Sequence, residues 1–164
     1  MSSEKETRNS LLEILAIFSS QYHKNSEAIT AKDFQQDLFF GLQTILDQIG
    51  AYIFMKDLSG RYIYVNKSVQ ELFGAPLENI IGHDDSHFFD LAISNELTSN
   101  DRRVIEKGQT IEREETNIIK SSGETRIYWT VKQPVLNDHG EIIGMCGIST
   151  DITRLKQEEY ALAE

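Results

Sequence analysis

Phe54-Met55-Lys56-Asp57-Leu58-Ser59-Gly60-Arg61-Tyr62-Ile63-Tyr64-Val65-Asn66 is the stretch that decides the fold. Two short runs, 51–56 and 61–66, are rich in Tyr, Ile, Phe and Val and flank Asp57-Leu58-Ser59-Gly60. Aromatic and β-branched residues on both sides of a turn containing Asp and Gly predict a β-hairpin. Downstream, 68–73, 77–81 and 86–89 read as short helical pieces punctuated by Gly74, Pro76 and Gly82. A longer helix over about 94–107 ends at Gly108. Three strand-like segments follow at 110–119, 124–135 and 141–149, joined by Lys120-Ser121-Ser122-Gly123 and Asn137-Asp138-His139-Gly140, both turn sequences. Two strands, a helical insert and three more strands predict an α+β domain with a five-stranded antiparallel sheet.

Residues 1–50 read as an N-terminal helical extension of two helices. Ser10 with Glu13 offers a capping box, Ser3 with Glu6 an earlier start, and Leu11, Ile14, Leu15, Phe18 and Tyr22 recur at helical spacing. Thr30 can cap a second helix with Asp33 in its first turn. Leu38, Leu42, Ile45 and Ile49 form its stripe, widened by Phe34, Phe39 and Leu46. So much apolar surface must be buried against the sheet, a partner chain or both, and a homodimer through these helices is expected. Residues 154–164 are charged and helix-prone, and Leu155 and Leu162 permit a single heptad.

The order of elements and their residues resembles the PAS family. The hairpin above is similar to the family's opening pair of strands. Asn66 and the Gly74 that ends Glu71-Leu72-Phe73-Gly74 look like the frame of its first inner helix, and Leu77-Glu78-Asn79-Ile80-Ile81-Gly82 fits the next element. Gly140-Glu141-Ile142-Ile143-Gly144 and Asp151-Ile152-Thr153 resemble its last hairpin and its exit motif. The match covers 51–153, with 154–164 as the start of a signalling helix. Asn66 can cap the amides where strand meets helix, and an Asp151 carboxylate can accept from the first amides of the exit helix. The resemblance implies that Asp151 and Thr153 relay a signal from the sheet to an output domain, of histidine kinase or diguanylate cyclase type, on the C-terminal side. The end at Glu164 is read as a cut within a longer protein.

The family often holds a small molecule between the sheet and the helical insert. The resemblance implies that one strand parity, that of Phe54, Tyr62, Tyr64, Tyr128, Thr130, Lys132, Met145 and Ser149, faces that pocket, with Gly147; a one-residue shift of register would invert it. Ile127, Trp129, Val131, Cys146 and Ile148 would form an apolar outer face that the second helix can cover. An inward Lys132 favours an anionic or carboxylate ligand; alternatively the tyrosines fill the cavity and Lys132 reaches water at its rim. Flavin-binding photoreceptors of the family carry a Cys where this chain has Asp85, so no covalent flavin photochemistry is expected. No His lies within 94–107, which argues against haem, and the cofactor stays unknown. His83 and His87 could share one helical face toward a metal, but no third ligand is placed, and a solvated polar surface is the simpler reading.

Composition narrows the partners. Sixteen basic against 26 acidic residues give a net charge of −10, which repels phosphate backbones and anionic lipid, so no nucleic acid is expected. No apolar run is long enough for a membrane span. The polar start is no secretory signal, and the single Cys146 suits a reducing compartment, which together point to the cytoplasm. The Asn66-Lys67-Ser68 sequon is read as chance. No nucleophile elbow or phosphate loop is present, and Glu112, Glu114 and Glu115 read as a charged strand edge, so the chain is not expected to be an enzyme. The expected function is a sensor module binding a small molecule. A ligand-free dimerisation scaffold is the alternative.

Overall fold

The computed structural model describes residues 31–92 and 95–163, in two compact units, Met1–Ile49 and Gly50–Glu164. The first predicted helix, with its Ser10 and Glu13 cap, lies outside the described residues, as does Thr30. In the first unit helix α1 runs Ala31–Gln48, so Ile49, the last residue of the predicted stripe, falls just past its end. Phe39, Leu42 and Ile45 on this helix are exposed.

The second unit opens with β1 (Tyr52–Lys56) and β2 (Tyr62–Val65), paired antiparallel. Helix α2 (Lys67–Phe73) and the 3-10 turns Leu77–Asn79 and Asp85–His87 follow, then helix α3 (Asn95–Lys107). Strands β3 (Ile111–Ile118), β4 (Thr125–Leu136) and β5 (Ile142–Asp151) complete one sheet in the order β2-β1-β5-β4-β3, every pairing antiparallel. Helix α4 (Thr153–Ala163) then leaves the sheet, and none of its described residues is buried. Asp151 is thus the last residue of a strand, which ends two residues later than the sequence pattern predicts.

Local chemistry explains the seams. Asn66 caps α2 by accepting from the Val69 amide, and its side chain also bonds the Ile53 amide and the Ala51 carbonyl. One carboxamide therefore starts the helix and ties it to β1. Gly74 closes α2 with φ of 65°, where its amide reaches the Gln70 and Glu71 carbonyls. A side chain at that left-handed φ would be strained. Gly147 on β5 answers a different need: the Phe54 ring lies directly over it, where a Cβ would clash. The main core gathers Tyr62, Val65, Val69, Phe73, Ile80, Phe88, Phe89, Leu97 and Ile119, with Phe73 and Phe88 stacked at 4.2 Å. A smaller cluster joins Val104, Ile111 and Met145 under α3. On the other side of the sheet Trp129 and Ile148 are exposed, while Ile127, Val131 and Cys146 are half-buried.

Candidate functional site

Six elements converge on a buried cluster of charge between the sheet and the helices. Strand alternation puts Lys56 on the inner face with Tyr52 and Phe54, Lys132 with Tyr128 and Thr130, and Glu115 with Ile111 and Asn117. On α3, Leu97, Asn100, Asp101 and Val104 recur at helical spacing, so the face that buries two aliphatics also carries a carboxylate and a carboxamide. Asp85 heads a 3-10 turn, in which the Asp84 side chain accepts from the Ser86 amide. Both lysines have no exposed surface.

Lys56 Nζ donates to Asp85 Oδ2 at 2.5 Å and to Asp101 Oδ2 at 2.6 Å. Lys132 Nζ donates to Asp101 Oδ1 and Glu115 Oε1, each at 2.8 Å. Asn100 Nδ2 donates to the same Glu115 oxygen at 2.8 Å, and the Tyr62 hydroxyl donates to Asp85 Oδ1 at 2.5 Å. Lys56 also lies over the Tyr62 ring, 4.7 Å from its centre. Asp101 is the hub, touching both ammoniums, while Asp85 and Glu115 touch one each.

That asymmetry separates the acids. Burial alone would push Asp101 up, but Lys56 and Lys132 more than offset it and hold it below the ordinary carboxylate range. For Asp85 burial wins over Lys56, and the Asp101 charge adds to it, so this carboxyl is held above that range. Burial penalises the Lys56 ammonium, yet Asp85 and Asp101 keep it charged. Burial, then Asp85, holds the Tyr62 phenol well above the ordinary range, so it stays a donor.

Beside the cluster a partly open cavity of ≈ 40 Å³ is lined by Tyr52, Phe54, Tyr62, Phe73, Tyr128 and Ser149, together with Lys56, Glu115 and Asn117. The Tyr128 hydroxyl is buried there without a hydrogen-bond partner. From the solvent side a cleft of ≈ 310 Å³, between the β1–β2 turn and α3, reaches the same Asp85 and Asp101.

One wall of the cavity leads to the exit helix. Tyr52 stands edge-on to Tyr128, ring centres 5.6 Å apart. Arg126 Nη1 donates to the Tyr52 hydroxyl at 3.2 Å and to Asp151 Oδ2 at 3.1 Å. Asp151 Oδ1 accepts from the Thr153 amide at 2.9 Å and the Thr153 hydroxyl at 2.6 Å. The Ile127 amide donates to Thr153 Oγ1 at 2.9 Å, pinning the helix start to β4.

Of the residues singled out for the pocket, Phe54, Tyr62, Tyr128 and Ser149 line the cavity. Tyr64, Thr130, Lys132 and Met145 do not. Thr130 is spent on a 2.9 Å bond with Ser149, and Met145 packs with Val104 and Ile111. Three expectations need correction. Lys132 does not reach water at a rim, because two carboxylates hold its ammonium inside the fold. Glu115 is not a solvated edge charge but one of those carboxylates, and only Glu112 and Glu114 fit the edge description. Asp85 is not part of a solvated polar turn, since Lys56 and Tyr62 draw it in. His83 and His87 do meet, with rings stacked at 4.2 Å, but the described residues hold no group of three His, Cys, Asp or Glu suited to a metal. Lys56 and Asp101 went unnoticed in the sequence, although each sits at the same phase as an inward apolar neighbour, Phe54 and Leu97.

The family description "PAS fold" matches residues 46–157. The chain belongs to this family. Among relatives, it is 36% identical over 125 residues to a diguanylate cyclase of Vibrio cholerae, covering 74% of this chain and 39% of the relative. It is 30% identical over 115 residues to the methanogenesis regulatory histidine kinase FilI of Methanothrix harundinacea, covering 70% and 13%. The chain thus spans well under half the length of either. Among solved structures, VqmA bound to DPO superposes with a TM-score of 0.59 at 25% identity, over 68% of this chain and 57% of that one. This PAS domain is therefore a sensory module of the kind found in signalling proteins. Among the described residues no helix is long and apolar enough to cross a membrane.

Proposed function

We propose that this PAS domain senses a small molecule in the cavity between sheet and helices and passes the result through Asp151-Ile152-Thr153 to an output domain. The observation that carries this reading is the Tyr128 hydroxyl, buried and unpartnered in a cavity whose Tyr52 wall is bonded through Arg126 to Asp151. A buried hydroxyl without a partner is costly, so a molecule that accepts its bond is favoured there. VqmA, described with DPO bound, supports small-molecule binding by analogy, and the cyclase and kinase relatives support an output domain of either type.

In this reading the domain does no catalysis of its own, and the cluster serves to tie the helical insert to the sheet. A cytoplasmic location accords with the single cysteine, Cys146. A native mass spectrum of the purified chain, with melting curves across a metabolite library, tests the sensor reading. A bound mass lost on denaturation, or a stabilising compound, is expected. Bare protein with no stabilising compound would leave the scaffold alternative, which the exposed apolar residues of α1 support.

A further inference from the structure

The geometry points to a cavity selective for small, uncharged molecules that accept a hydrogen bond, and closed to carboxylates and other anions. This inference rests on the sensor reading and names its ligand class. The inward lysine in the sequence looks like an anion receptor, but the structure removes that role. Lys56 and Lys132 each contact two carboxylates, so neither ammonium is left to meet an incoming charge. Two ammoniums face three carboxylates, Asp85, Asp101 and Glu115. Fully ionised, the cluster carries one excess negative charge; with a proton on Asp85, the carboxyl that burial holds above the ordinary range, it balances.

In the ionised state an anion would add like charge; in the balanced state neither an anion nor a cation finds a free counter-charge, and each would still give up hydration on entering. What remains on offer is the Tyr128 hydroxyl, with Ser149 and Asn117 nearby and aromatic walls from Tyr52, Phe54, Tyr62 and Phe73. The volume of ≈ 40 Å³ admits roughly three or four heavy atoms.

Acetamide, acetate and acetamidinium have one shape and differ only in charge, so they read the selectivity directly. Each is titrated into the chain at pH 7 and constant ionic strength while backbone amide NMR shifts are followed. Acetamide is expected to move the amides around Tyr128 and Ser149 at concentrations at least about tenfold below the two ions. Tyr128→Phe is expected to weaken that response without lowering the melting temperature, because the hydroxyl bonds nothing in the fold. Acetate acting at equal or lower concentration overturns the selectivity and leaves the sensor reading standing. Acetamidinium acting best overturns it too, by showing uncompensated negative charge. No response to any of the three overturns both the selectivity and the small-molecule reading. A lower melting temperature for Tyr128→Phe would make the hydroxyl structural and remove its role as the ligand's donor.

Discussion

Asp101 and Asp85 show how two like residues in one cluster acquire opposite characters. Asp101 serves two ammoniums, so Asp101→Asn leaves Lys56 with Asp85 and Lys132 with Glu115 as their single ionic partners. The expected loss is roughly 2–4 kcal/mol of unfolding free energy, from two weakened charge-assisted hydrogen bonds, measured by urea titration. A loss below about 1 kcal/mol would mean that water reaches the lysines. The two acids also set opposite pH dependences. Asp101 is held below the ordinary value of 3.8, so its stabilisation is present above that value and disappears as pH falls through the depressed one. Asp85 is held above 3.8, so its contribution is full below that value and is lost as pH rises through the raised one. Asp85→Asn should therefore gain stability relative to the parent chain as pH rises from about 4 to 8. Urea midpoints that stay parallel over this window would show that Asp85 titrates alike in both states.

At the scale of elements, the junction between β5 and α4 is the part most open to direct perturbation. Thr153 bonds Asp151 on one side and the Ile127 amide on the other, so it locks the first turn of α4 to β4. Thr153→Val keeps the shape and removes both bonds, at an expected cost of about 1 kcal/mol. The readout is hydrogen exchange: amides of the first turn of α4 should exchange severalfold faster, with β1 and β2 unchanged. Uniform acceleration across the sheet would instead mean global destabilisation, and the junction would not be a separable joint. The Lys156 ammonium adds a second tie, 2.7 Å from Glu114 on β3, but both groups are partly solvated and the pair is worth little.

For the whole molecule the open question is assembly. Helix α1 exposes Phe39, Leu42 and Ile45, and the sheet's outer face exposes Trp129 and Ile148. A homodimer through residues 1–50 would bury such surface, and light scattering of the full chain should then give twice the mass per chain. The same measurement on 50–164 should give the monomer mass; equal association states for both would remove the N-terminal helices from the interface. Element order and type were legible in the sequence because alternation, helical spacing and turn residues act over a few positions. Parity likewise marked Tyr62, Tyr128 and Ser149 as inward, since each strand has only two faces. The ionic cluster was not legible: its members lie up to 76 residues apart, from Lys56 to Lys132, and nothing local says that an inward charge will find its opposite. Only the packing of α3 and the Asp85 turn onto the sheet decides that, because a charge is tolerated away from water when, and only when, the fold delivers its counter-charge to within bonding distance.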